Sequence, residues 1–93
     1  MEKTDLKSRL LRVERTITWY TQNNELIDEI NIDVVPFETL TVIVTPKQDD
    51  PILYDGYVLT EQQLDSLNCF FDNRIEVDMN SFFFVLECTG IYT

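Results

Sequence analysis

Between residues 11 and 34 apolar and polar side chains alternate twice, with one cluster of turn-forming residues between the two runs, and this restricts the fold more than any other feature. In the first run Leu11, Val13, Ile17 and Trp19 fall on one side and Arg12, Glu14, Thr16, Thr18 and Tyr20 on the other, with Arg15 intruding on the apolar side. Only a β-strand sends successive side chains to opposite faces, so a period of two reads as a half-buried strand. Thr21, Gln22, Asn23 and Asn24 then supply residues that tolerate a positive φ. Alternation resumes with Leu26, Ile30, Ile32 and Val34 against Glu25, Ile27, Glu29, Asn31 and Asp33. Two strands and a tight turn predict a hairpin. Asp28 lies on the apolar side of the second strand, about as far beyond the turn as Arg15 lies before it, and a cross-strand ion pair is preferred here to a role in a site.

Downstream the pattern changes. Residues 36–45 carry two competing signals. The β-branched run Thr41, Val42, Ile43, Val44 favours a strand, whereas Pro36 at a first helical position, with Phe37, Leu40 and Val44 at helical spacing, favours a short helix. Residues 46–51 form a loop bounded by Pro46 and Pro51, and residues 54–59 suggest a short extended segment. Thr60, Glu61, Gln62 and Gln63 match a capping box, with Leu59 and Leu64 placed for a hydrophobic staple. Leu64, Leu67, Phe70 and Phe71 continue one apolar stripe, predicting a helix over residues 61–72. Ile75 and Val77 alternate with Glu76 and Asp78, and the unbroken apolar run 82–86 reads as a central strand with a helix layer over one face.

The expected class is therefore α+β: one small domain over residues 1–93, mainly antiparallel sheet, with an N-terminal hairpin and one or two helices packed on one face. Residues 1–10 read as a helical turn or a frayed end. A hydrophobic content of 44% is enough for one core despite a net charge of −10. No apolar run approaches the roughly 20 residues a helix needs to span a bilayer, and no secretory signal is visible, so a cytoplasmic location is expected. Cys69 and Cys88 sit among apolar neighbours and read as two buried thiols.

Charge says more about partners than about fold. Fourteen of the seventeen carboxylates follow residue 15, where Lys47 and Arg74 are the only cations; the other five cations lie within the first fifteen residues. With no histidine, the Ser-His and Cys-His arrangements are excluded. Asp49 with Asp50, or Asp28 with Glu29, are formal carboxylate pairs, but neighbours on one loop rarely flank one bond, and no enzyme is expected. Asp49, Asp50 and Asp55 lack the glycine and terminal glutamate of an EF-hand, and neither metal nor cofactor is expected. Nucleic acid would be repelled by the acidic body.

Two readings of the acid remain: a solvated surface that keeps the chain soluble, or a surface that binds something basic. The second is favoured by a mixture of acid and aromatic residues. Asp49, Asp50, Tyr54, Asp55 and Tyr57 fall within nine residues and are the expected partner-binding set, the carboxylates pairing with Lys or Arg and the tyrosines anchoring. For Tyr54 and Tyr57 alternation equally allows that one packs in the core. Tyr20 with Glu25, Glu29 and Asp33 offers a second such surface.

The order of motifs adds a resemblance. Thr18, Trp19, Tyr20, then residues 25–30 (Glu, Leu, Ile, Asp, Glu, Ile), then Asp49, Asp50, Pro51, then Tyr54, Asp55, then Leu59, Thr60, Glu61, and finally a Phe-rich strand, resemble small bacterial immunity proteins of contact-dependent growth inhibition and polymorphic toxin systems. The resemblance covers roughly residues 16–88. It implies a cytoplasmic inhibitor of a toxin's carboxy-terminal domain, most often a nuclease, blocking a basic active site by shape and charge without turnover. It also implies a helix over residues 36–44. Two other partner classes fit the same charge: a phage or mobile-element DNA mimic that blocks a host DNA-binding enzyme, and an adaptor domain without a nuclease partner.

Overall fold

The computed structural model describes residues 10–72 and 74–92; the expectation for residues 1–9 lies outside them. Strands β1 (Leu10–Thr21) and β2 (Leu26–Asn31) form the expected antiparallel hairpin. Its turn is closed by Thr21, whose hydroxyl accepts from the amides of Asn23 and Glu25 at 3.2 and 3.1 Å, with Asn24 at φ 68°. Asparagine is among the few side chains that occupy this left-handed region readily.

Helix α1 (Phe37–Ile43) resolves the ambiguity of the β-branched segment. Pro36 stands just before it, as the N-cap and not as the first helical residue. What overrides strand propensity is burial: Leu40 and Val44, four apart, enter the core while Val42 between them is exposed. The short strand β3 (Tyr57–Val58) follows, and then helix α2 (Glu61–Asn68) opens on the expected capping box. There the Thr60 hydroxyl accepts from the Gln63 amide at 3.1 Å, and the Gln63 side-chain oxygen accepts from the Thr60 amide at 2.8 Å. The Gln63 side-chain amide also donates to the Ile43 carbonyl at 3.3 Å, tying the start of α2 to the end of α1.

Helix α2 stops at Asn68, four residues before the predicted end. The buried Asn68 side chain spans a fold in the chain, donating to the Ile75 carbonyl at 2.9 Å and accepting from the Ile75 amide at 3.0 Å. To reach that geometry the backbone tightens, with Phe70 and Phe71 amides donating three residues back to Leu67 and Asn68, and Asp72 taking φ 54°. Phe70 is thereby left 39% exposed while Phe71 is buried.

The last strand, β4 (Phe82–Tyr92), is interior. The sheet order is β2-β1-β4-β3, with every pair antiparallel. Ile17, Phe84 and Leu86 meet Leu40, Leu59, Leu64 and Leu67 in one core, and Trp19, Ile30, Tyr57 and Phe82 pack against it. Both described helices therefore cover the same sheet face, in an α+β arrangement. Among the described residues no helix is long and apolar enough to cross a membrane.

Two side-chain expectations are corrected. A register shift between Trp19 and Tyr20 sets Asp28 opposite Trp19, while the Ile32 amide bonds to the Arg15 carbonyl, so Arg15 and Asp28 do not meet. The Arg15 guanidinium instead donates to the Ile52 carbonyl and lies 4.9 Å from the Phe37 ring centroid. Cys69 is exposed because it follows the early end of α2, and only Cys88 is half-buried; both thiols are free.

Candidate partner-binding site

The segment 46–56 links α1 to β3 and carries four of the five residues expected to bind a partner, the fifth, Tyr57, following at the start of β3. It has no regular secondary structure, so its backbone donors must be satisfied in another way. Asp50 does this. Only 5% exposed, its carboxylate turns inward and accepts from the amides of Tyr54 at 2.8 Å and Asp55 at 2.9 Å and from the Tyr57 hydroxyl at 2.6 Å. Burial opposes its ionised form, but the Tyr57 hydroxyl, the Asp55 and Tyr54 amides and the nearby Lys47 charge outweigh burial and hold the carboxyl below the usual carboxylate range. The Tyr57 phenol is raised in turn, first by desolvation and then by its bond to Asp50.

Three further contacts brace the segment. The Tyr57 oxygen accepts from the Lys47 amide at 3.1 Å, so this one hydroxyl joins both ends of the loop. Leu53, fully buried, sits at φ 56°, a region that costs a branched side chain about 1–3 kcal/mol and persists only where the surroundings enforce it. Its amide donates to the Asp50 carbonyl at 3.1 Å, and Arg15 binds the carbonyl of Ile52, the residue before it.

The five predicted residues therefore divide by role. Asp49, Tyr54 and Asp55 are presented outward, with Tyr54 40% exposed. Asp50 and Tyr57 face each other beneath them and shape the loop. Asp55 pairs with Lys47 at 3.1 Å, with both side chains about half exposed, a contact that a competing cation can displace at small cost. Ile52, 49% exposed, joins the outward set, although nothing in the apolar pair Ile52 and Leu53 after Pro51 marks which of the two is exposed. The result is a pre-shaped loop that offers two carboxylates, an aromatic ring and an aliphatic side chain.

The second expected surface is rearranged. The Asp33 oxygens accept from the Arg15 amide at 3.1 Å and from the Asn31 side chain at 3.2 Å, so Asp33 closes the end of β2. In its place stands Glu87, unmarked by any local pattern, which the register sets opposite Thr16 and beside Thr18 and Tyr20 on the sheet face opposite both described helices. Its carboxylate accepts from the Thr18 hydroxyl at 3.2 Å and the Tyr20 hydroxyl at 3.1 Å. That bond, ahead of desolvation and of the Glu87 and Glu29 charges, raises the Tyr20 phenol. Among the described residues no group of three or more Cys, Asp or Glu is disposed to hold a metal ion.

No curated protein and no solved structure matches the chain. Residues 14–87, from within β1 to within β4 and including both described helices and the braced loop, match the family model described as Domain of unknown function (DUF7683), and the chain belongs to that family.

Proposed function

We propose that this protein is a non-catalytic inhibitor that binds a basic protein surface, and that its partner is the carboxy-terminal domain of a bacterial toxin, a nuclease in the first instance, as the resemblance to immunity proteins implies. The observation that carries the reading is the braced loop. Asp50 and Leu53 hold residues 46–56 in one shape while Asp49, Ile52, Tyr54 and Asp55 remain at the surface. A loop ordered before binding loses little conformational freedom on association, which is where flexible acidic segments forfeit affinity. Aromatic and aliphatic anchors ringed by carboxylates suit a cleft that grips phosphate, because such a cleft is lined by Lys and Arg. Inhibition would follow from occupying that cleft, with no bond made or broken.

The test is the affinity of the chain for the inactivated carboxy-terminal domain of the protein encoded immediately upstream, compared with its Asp49→Lys, Asp55→Lys double variant. Both positions are exposed, so the substitutions leave the inward Asp50 network in place. The expected loss is tenfold or more, since a like charge set against a basic cleft costs several kcal/mol (about 1.4 kcal/mol per factor of ten). A change within a factor of two would discard the loop as the binding surface.

A further inference from the structure

The sheet face opposite both described helices carries a second arrangement that the loop does not explain. Register places Leu26 opposite Tyr20, and Val58 opposite Val85, so the two sheet edges each present an aliphatic side chain to this face, 62% and 70% exposed. Between them Tyr20 stacks on Phe83 with ring centroids 5.3 Å apart and an interplanar angle of 21°. Next to this stack Glu87 is clamped by Thr18 and Tyr20, and Glu29 lies across from Thr18 on β2. Among the described side chains no lysine or arginine shares the face: Arg15 turns to the helix side, and Lys47 and Arg74 lie in loops.

From this geometry we infer a docking surface for an extended protein segment that carries an arginine with aliphatic residues two positions to either side, so that all three side chains face the sheet. A guanidinium over the Tyr20 and Phe83 rings gains a cation–π contact and reaches the fixed Glu87 carboxylate, while aliphatic neighbours cover Leu26 and Val58. Charge selects this occupant over a second copy of the chain, since two bodies of charge −10 repel and would bring Glu29 and Glu87 against one another. The inference rests on the reading that the partner is basic, but it concerns a surface separate from the 46–56 loop.

The probe is a capped synthetic peptide with leucine, arginine and leucine at every second position and serine between them, titrated into the protein and followed by amide chemical shifts. The largest shifts are expected at Tyr20, Phe83 and Glu87, with affinity falling tenfold or more in Leu26→Lys, Val58→Lys and about tenfold in Glu87→Gln. Leu26 and Val58 are exposed, so their replacement leaves the core intact. A Val42→Lys, Gln62→Lys variant makes the same change in net charge on the two helices and is expected to stay within threefold of the parent. Shifts concentrated on residues 46–56, or equal losses in both double variants, would overturn the proposal, as would a parent dimer that Leu26→Lys dissociates. Failure of the basic-partner reading is read separately, from the upstream toxin domain, and does not alter the peptide result.

Discussion

Replacing Asn68 by Ala tests the packing logic where α2 ends. The Asn68 amide supplies the partner for both the N–H and the C=O of Ile75, and Asn68 and Ile75 are 5% and 3% exposed, so neither backbone group gains water when the side chain is cut back. Leaving a buried polar group unsatisfied costs about 1–3 kcal/mol, so two such groups give about 2–5 kcal/mol once partial relaxation is allowed. Alanine's better helix propensity returns about 0.5 kcal/mol at this last helical position. For a domain of this size each kcal/mol shifts Tm by about 4–8 °C, and the whole stability is about 5–15 kcal/mol, so the variant should unfold at least about 6 °C below the parent. Urea unfolding followed by Trp19 fluorescence measures it, with the midpoint falling at an unchanged slope. Asn68→Asp keeps the acceptor for the Ile75 amide but sets a carboxylate against the Ile75 carbonyl, and is expected to do no better. A loss under about 0.5 kcal/mol for Asn68→Ala would show that the Ile75 N–H and C=O do not depend on the Asn68 side chain.

Asp50 should titrate with a midpoint below the ordinary aspartate value of about 3.9, read from its side-chain carboxyl carbon by NMR. Because its folded pKa is lowered, its contribution is fully present above the unfolded value and lost as pH falls through the folded one, so the amide shifts of Tyr54 and Asp55 should move together with it; a midpoint at or above 3.9 would contradict the network. Tyr20 and Tyr57 are raised, so their contribution is fully present below the unfolded tyrosine value of about 10 and is lost as pH rises through the raised folded values; alkaline absorbance titration should show both of these phenols ionising late, and Tyr20→Phe should remove one late-ionising phenol. Thr60→Ala removes one half of the capping box and should cost about 0.5–2 kcal/mol by thermal unfolding. A thiol reagent should label exposed Cys69 before Cys88, whose thiol burial pushes up, and equal rates would contradict the early end of α2.

What could be read from the sequence was local. The capping box at Thr60 and Gln63 and the turn at residues 21–24 depend on side chains within a few residues of the backbone they satisfy, so their patterns survive without tertiary knowledge. Features decided at a distance did not. Asp49 and Asp50 are identical neighbours, and what turns only Asp50 inward is Tyr57 and the amides of residues 54 and 55, brought round by the positive φ at Leu53. An aspartate directly before Pro51 is a turn-initiating pair and was the one available hint. Pairing Arg15 with Asp28 centres the turn too early, since Tyr20 faces Leu26 and Arg15 lies against Ile32, and the bulge beside Tyr20 carries Leu26 to the sheet face opposite both described helices. Glu87 carries no local mark at all, because its partners Thr18 and Tyr20 lie 69 and 67 residues away.

Whether this chain acts by binding a basic protein is decided by calorimetry against the inactivated carboxy-terminal domain of the protein encoded immediately upstream, at low and at physiological ionic strength. One-to-one binding is expected, weakening as salt shortens the Debye length from about 30 Å at 0.01 M to about 8 Å at 0.15 M, together with loss of the active domain's toxicity when the two are expressed together. Absence of binding at both ionic strengths, or binding indifferent to salt, would contradict the proposed function.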